Sequence, residues 1–206
     1  MLEAIYVIKD NIYFTWFALL IFFAGFCFSY AVNYFNIKFL LWFPHWFIKF
    51  LSKYVNPRAS FIRIFLIIFL FNSISIAIYM ASGIFIIFPF IIAFLTGLNI
   101  GITVFIPPQM NVEGYDVRKP KTAGEVLKMM LFSTLVLVLE VTTFSLALGM
   151  GMSLGTAISA MKGLDITQIL FIYELLTMRI NAYLFVCVPI LAVSAYLEAR
   201  VIRGGR

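Results

Sequence analysis

The chain has 206 residues, 64% of them hydrophobic and 12% charged, and a formal net charge of +6. That balance excludes an ordinary soluble domain and describes a single all-α integral membrane domain over residues 1–206. In such a chain the positive balance reports topology rather than nucleic-acid binding, and the lipid bilayer is its first implied partner.

Residues 1–11 carry Glu3, Lys9 and Asp10. The apolar run that follows outlasts a signal peptide and shows no small-residue cleavage site, so an uncleaved first span over about 14–32 is expected. The segment from Asn33 to Ser60 differs: Trp42, Pro44, His45, Trp46, Lys49 and Lys53 interleave with apolar residues. That pattern predicts an amphipathic helix over 37–54 lying in the headgroup plane, with Trp and Lys as anchors.

Further spans are expected at about 62–80 and 84–106, joined by a tight hairpin at Ser82-Gly83 and ended by Pro107-Pro108. The polar stretch from Gln109 to Ala123 follows. Thr122 with Glu125 is a capping-box spacing that starts a fourth span over about 124–152, with Gly149, Gly151 and Gly155 loosening its end before a short loop. Asp165 with Gln168 is a second possible cap, opening a last helix from Ile166. That helix exceeds the bilayer, so its span is taken as about 179–199, with 166–178 interfacial and both Glu174 and Arg179 wet.

Five spans place all but three of the 15 basic residues (Lys9, Lys162 and Arg179) on one side. The positive-inside rule then puts the N-terminus outside and the C-terminus in the cytoplasm.

Glu140 stands alone in its span, with no other charge between Lys128 and Lys162. An unpaired carboxylate at that depth is costly, so it faces a partner, a cavity or a pathway. Thr143, three residues on, shares its helix face, and Asn72 is the most plausible partner from another helix. Asn72, Asn99, Glu140 and Thr143 are therefore the candidate intramembrane polar site. It is either structural glue or a reversible proton or cation site. Gly97 and Gly101 form a Gly-x-x-x-Gly spacing that admits a close helix neighbour, or else belong to a polar lining. Glu198 reads as an interfacial charge beside Arg200.

His45 is the sole histidine and reads as an interface residue; Cys27 and Cys187 read as free packed thiols. No phosphate loop, zinc spacing or nucleophile elbow is present, so neither enzyme activity, a metal site nor a cofactor is expected.

The stretch 69–106, with Phe69-Leu70-Phe71-Asn72-Ser73 near its start and Thr96-Gly97-Leu98-Asn99-Ile100-Gly101 near its end, resembles the membrane domain of the stage II sporulation protein M family. Glu140 matches that family's helix glutamate, with Ala147 and Gly149 in a similar small-residue tail. The segment from Val193 to Ala199 looks like its closing segment with Glu198. Leu135-Val136-Leu137 and Val141-Thr142-Thr143 depart from its Pro-His-Gly and Leu-Pro-Ala elements. The resemblance carries over Asn72, Gly97, Asn99, Gly101, Glu140 and Glu198. It implies a membrane scaffold or assembly component acting through protein partners or as a homo-oligomer, without chemistry of its own. The alternative is a transporter or permease subunit with its polar site around Glu140.

Overall fold

A computed structural model describes residues 2–55, 59–85, 87–105, 123–161 and 165–203. The proline stop at 107–108, the polar stretch 109–122 with its Thr122 cap, and Arg58, Lys162 and Arg206 lie outside the described residues. All regular structure among the described residues is helical.

Helix α1 (Leu2–Asp10) turns into α2 (Ile12–Tyr34) at Asn11. Asn11 is buried, and its amide donates to the Val7 carbonyl at 2.6 Å. Residues 2–10, for which the sequence suggested no element, form α1, and it packs against the seventh helix, α7 (Ile166–Ala182). After α2 the chain reverses through Asn36, whose φ of 49° is a left-handed conformation that asparagine tolerates. The Ile37 N–H reaches back to the Val32 carbonyl at 3.1 Å and closes the helix end.

Helix α3 (Lys38–Tyr54) matches the expected amphipathic segment. Leu41 and Pro44 face inward, while Phe39, Trp42 and Trp46 are exposed. Trp46, Phe50 and Tyr54 form a ladder of rings with centroids 5.5 and 4.9 Å apart. Cys27 is exposed and Cys187 buried, and both are free thiols.

Helix α4 (Phe61–Ser82) starts at Ser60, whose hydroxyl accepts from the Arg63 N–H. Helix α5 (Phe88–Phe105) begins four residues later than residue 84, because Pro89 has no N–H to give and fits only a first turn. The tight α4–α5 hairpin does not form as a packed pair. The principal partner of α5 is α2, and that of α4 is α6 (Ala123–Ser159) together with α8 (Val188–Ile202).

The reason lies in the glycines. Gly97 meets the backbone of Phe22, Gly25 meets that of Phe94, and Gly101 lies on Ser29. A Cβ at any of these positions would clash, so α5 can approach α2 closely only as the sequence stands. The pairings Phe17–Phe90, Phe22–Gly97 and Ser29–Gly101 advance together along both helices, so α2 and α5 run parallel.

Helix α6 is central, contacting α2, α4 and α8. It runs on to Ser159, well past residue 152, and what read as the short loop from Ser153 is helix. The glycines at its end do not loosen it. Gly149 admits Thr15 of α2, and Gly151 lies against Gly83 and Met80 of α4.

Asp165 caps α7 by accepting from the Gln168 N–H at 2.8 Å. Between α7 and α8 lies a π-helical turn, Tyr183–Cys187. Pro189 cannot donate to the Phe185 carbonyl, and the wider turn absorbs that gap.

Four stretches are long and apolar enough to cross a membrane: Ile12–Tyr34, Phe61–Ser82, Met130–Ser159 and Ile166–Ile202. The expected fifth, on α5, is a shorter apolar helix, Phe88–Thr103. Large apolar side chains such as Leu20, Leu66, Leu70, Ile74, Val138 and Phe185 point outward, as lipid-facing residues do.

Candidate functional site

Glu140 lies midway along α6, between two apolar clusters. On one side are Ile76, Phe144, Ala147, Cys187 and Leu191; on the other are Ile64, Ile68, Ala195 and Ala199. Three helices close around it there. Asn72 of α4 donates its amide N–H to Glu140 Oε1 at 2.7 Å, and Ser194 of α8 donates its hydroxyl to the same oxygen at 3.4 Å. The first is a short, strong bond; the second is long and weak.

Ser194 and Glu198 are one turn apart on the same face of α8. Glu198 is half-buried, one turn beyond the serine that bonds Glu140. No ion pair joins Glu198 to the neighbouring Arg200. Arg200 turns instead over the Tyr196 ring, 5.6 Å from its centroid. Among the described residues no cation pairs with either carboxylate.

Two candidate residues do not join this node. Thr143 is buried but gives its hydroxyl to the Leu139 carbonyl of its own helix at 2.6 Å. A threonine inside a helix has that acceptor one turn back, and nothing at Glu140 competes with it. Asn99 rides on α5, and its carbonyl accepts the Thr103 hydroxyl. Because α5 is drawn to α2 by the glycine seam, Asn99 is carried away from α4, α6 and α8. Gly97 and Gly101 act in that seam and line no polar path.

Three polar features escaped the sequence reading. Tyr79 of α4 bonds Thr96 of α5 at 2.9 Å, the one side-chain hydrogen bond between those helices among the described residues. Tyr183 in the π-turn donates to the Ser73 carbonyl at 3.3 Å.

The third feature is Arg179, which is not wet. It is 6% exposed, with Nε bonded to the Met150 carbonyl at 3.1 Å, Nη1 to the Leu175 carbonyl at 2.9 Å and Nη2 to Ser153 Oγ at 2.7 Å. Glu174 is exposed. The signals for these contacts were present but ambiguous. A tyrosine or arginine in an apolar run announces a polar contact without naming the partner.

Chemically, the node can hold three helices in register, or let the Glu140 carboxyl take up and release a proton. No group of three or more His, Cys, Asp or Glu side chains among the described residues is placed to hold a metal. No protein-family model, curated protein or solved structure matches the chain.

Proposed function

We propose that this protein is a five-pass membrane scaffold or assembly component, similar to the stage II sporulation protein M family, that works through partner proteins without catalysing a reaction. The observation that carries this reading is the convergence of Asn72 and Ser194 on Glu140, with Glu198 one turn beyond Ser194. Asn72, Glu140 and Glu198, all carried over by that resemblance, thus lie on the three helices that these bonds draw together. A carboxyl held by donors from two other helices favours a fixed clasp over an open passage.

The helix directions support five crossings. Helices α2 and α5 run one way and α4 and α6 the other. Helix α8 runs back against α6, as the Glu140–Ser194 and Met150–Arg179 contacts require. With five crossings α3 lies on the cytoplasmic side, with Lys38, Lys49 and Lys53, and the N-terminus lies outside.

Partner-dependence is tested by cross-linking in native membranes followed by purification. The expected result is a discrete complex, and a partner-free monomer would overturn the scaffold reading. Topology is tested separately by replacing Cys27 with serine and introducing Asp116→Cys. Labelling of that cysteine from outside intact cells would reverse the orientation.

A second reading, a permease subunit with a proton site, is favoured by Glu140, an intramembrane carboxyl whose partners are the neutral Asn72 amide and Ser194 hydroxyl. Such a group can take up and release a proton. Its test is Glu140→Gln in membrane vesicles with a pH-sensitive dye. Proton movement that persists unchanged in the variant would remove this reading.

A further inference from the structure

A second polar site lies at the far end of the bundle from α3. A cleft of about 410 Å³ opens where the α1–α2 bend meets the end of α6 and the middle of α7. Its polar lining is Asp10, Asn11, Ser153, Thr156 and Arg179, and Val7, Phe14 and Met178 supply an apolar wall.

Arg179 reaches this cleft with charge to spare. Its three hydrogen bonds go to two carbonyls and a hydroxyl, all neutral acceptors. A guanidinium has five N–H groups, so two remain outside those bonds. Asp10 lines the same cleft, is exposed and forms no ion pair with Arg179. The cleft thus presents a cation and an anion that do not neutralise each other, with amide and hydroxyl groups in the same lining.

The depth of the cleft identifies what meets it. The helical path from Arg200 back to Arg179 is about 31 Å at 1.5 Å per residue. That is the thickness of a bilayer's hydrocarbon core, about 30 Å. With Arg200 at one interface, Arg179 stands at headgroup depth in the opposite leaflet. Asn11 stands at similar depth, about 34 Å of helix from Tyr34. Phospholipid headgroups occupy this layer, and lipid-exposed apolar side chains run beneath it.

We propose that this cleft binds the headgroup of an aminophospholipid, with its phosphate on the free N–H groups of Arg179 and its primary ammonium on Asp10. Arginine matches phosphate oxygens in fork geometry, and a primary ammonium can donate to a carboxylate. A choline headgroup has no N–H to donate, and a glycerol headgroup brings no positive charge for Asp10. The proposal rests on the membrane-crossing reading above, but its measurement is made in detergent and does not depend on which end faces outward.

Purified full-length protein is given phosphatidylethanolamine, phosphatidylcholine or phosphatidylglycerol at equal mole fraction, and bound lipid is counted by native mass spectrometry. Phosphatidylethanolamine should be retained at least about fivefold over either other lipid, a difference of about 1 kcal/mol. Asp10→Asn should abolish that preference while leaving the lipid-free melting temperature unchanged. Asp10 is exposed, so this variant keeps the test clear of any folding defect in Arg179→Gln. Equal retention of all three lipids, or a preference for phosphatidylglycerol, would overturn the proposal. Tight binding of free phosphoethanolamine, equal to that of the lipid, would assign the cleft to a soluble zwitterion and overturn the lipid source. Asp116→Cys labelling reports the topology independently, so a failed topology and a failed lipid site give different results.

Discussion

Between α2 and α5 the contact is made by absent side chains. Gly25, Gly97 and Gly101 let two parallel backbones touch, with Ala18 and Ala93 buried nearby. Between α4, α6 and α8 it is made by present ones, with Asn72 and Ser194 converging on Glu140. In lipid the usual hydrophobic drive between helices is lost, and dispersion and interhelical hydrogen bonds take its place. The seam uses the first and the node the second. A dry seam has no second state except separation. A node built on a carboxyl has partners that can be exchanged or protonated, so the part of the bundle suited to change is the α4–α6–α8 side.

That contrast can be broken most forcefully at the seam. Gly97→Leu drives a side chain into the Phe22 backbone and should cost about 3 kcal/mol in a detergent unfolding titration. A loss below about 1 kcal/mol would mean that the backbones are not in contact. At the node, Glu140→Ala leaves the Asn72 amide and the Ser194 hydroxyl without their acceptor and should cost about 2 kcal/mol in the same assay. Glu140→Gln retains an acceptor oxygen and should cost less.

A double-mutant cycle pairing Asn72→Ala with Glu140→Gln sharpens the comparison. Coupling of about 0.6 kcal/mol is expected for an interhelical bond in a membrane protein, and zero coupling would remove the node as a clasp. The smallest effect belongs outside both regions. Asp165→Ala removes the α7 cap and should cost about 0.5–1 kcal/mol, seen as faster hydrogen exchange in the first turn of α7 with seam and node protection unchanged.

Much of this architecture is legible in the sequence, because hydropathy and capping act locally. The amphipathic segment read as 37–54 is the helix Lys38–Tyr54, and Asp165 caps as its spacing suggests. Asn72 could be proposed against Glu140 because few polar groups exist to satisfy a carboxyl in an apolar span. What was not legible is which helix meets which. A Gly-x-x-x-Gly spacing states that something approaches closely without naming it, and the structure supplies α2. The place of Asn99 likewise follows from the partner of α5, which its own sequence does not state. Arg179 stands where a charge marks the membrane boundary, yet its side chain is buried rather than wet. Here the carbonyls of Met150 and Leu175 stand in for water, a substitution that only the packed structure reveals.

The π-turn at Tyr183–Cys187 sets the angular phase of the last helix. Each residue advances an α-helix by about 100°. The wider turn advances each of its residues by less, so it takes in one extra residue without changing the bearing of the helix beyond it. Closing the turn to ordinary α geometry with all five residues kept would swing Ser194 and Glu198 away from Glu140 while Arg179 kept its place on α6. The turn therefore acts as an indexing joint, fixing in one helix the relative bearing of the Arg179 cleft and the carboxyl node.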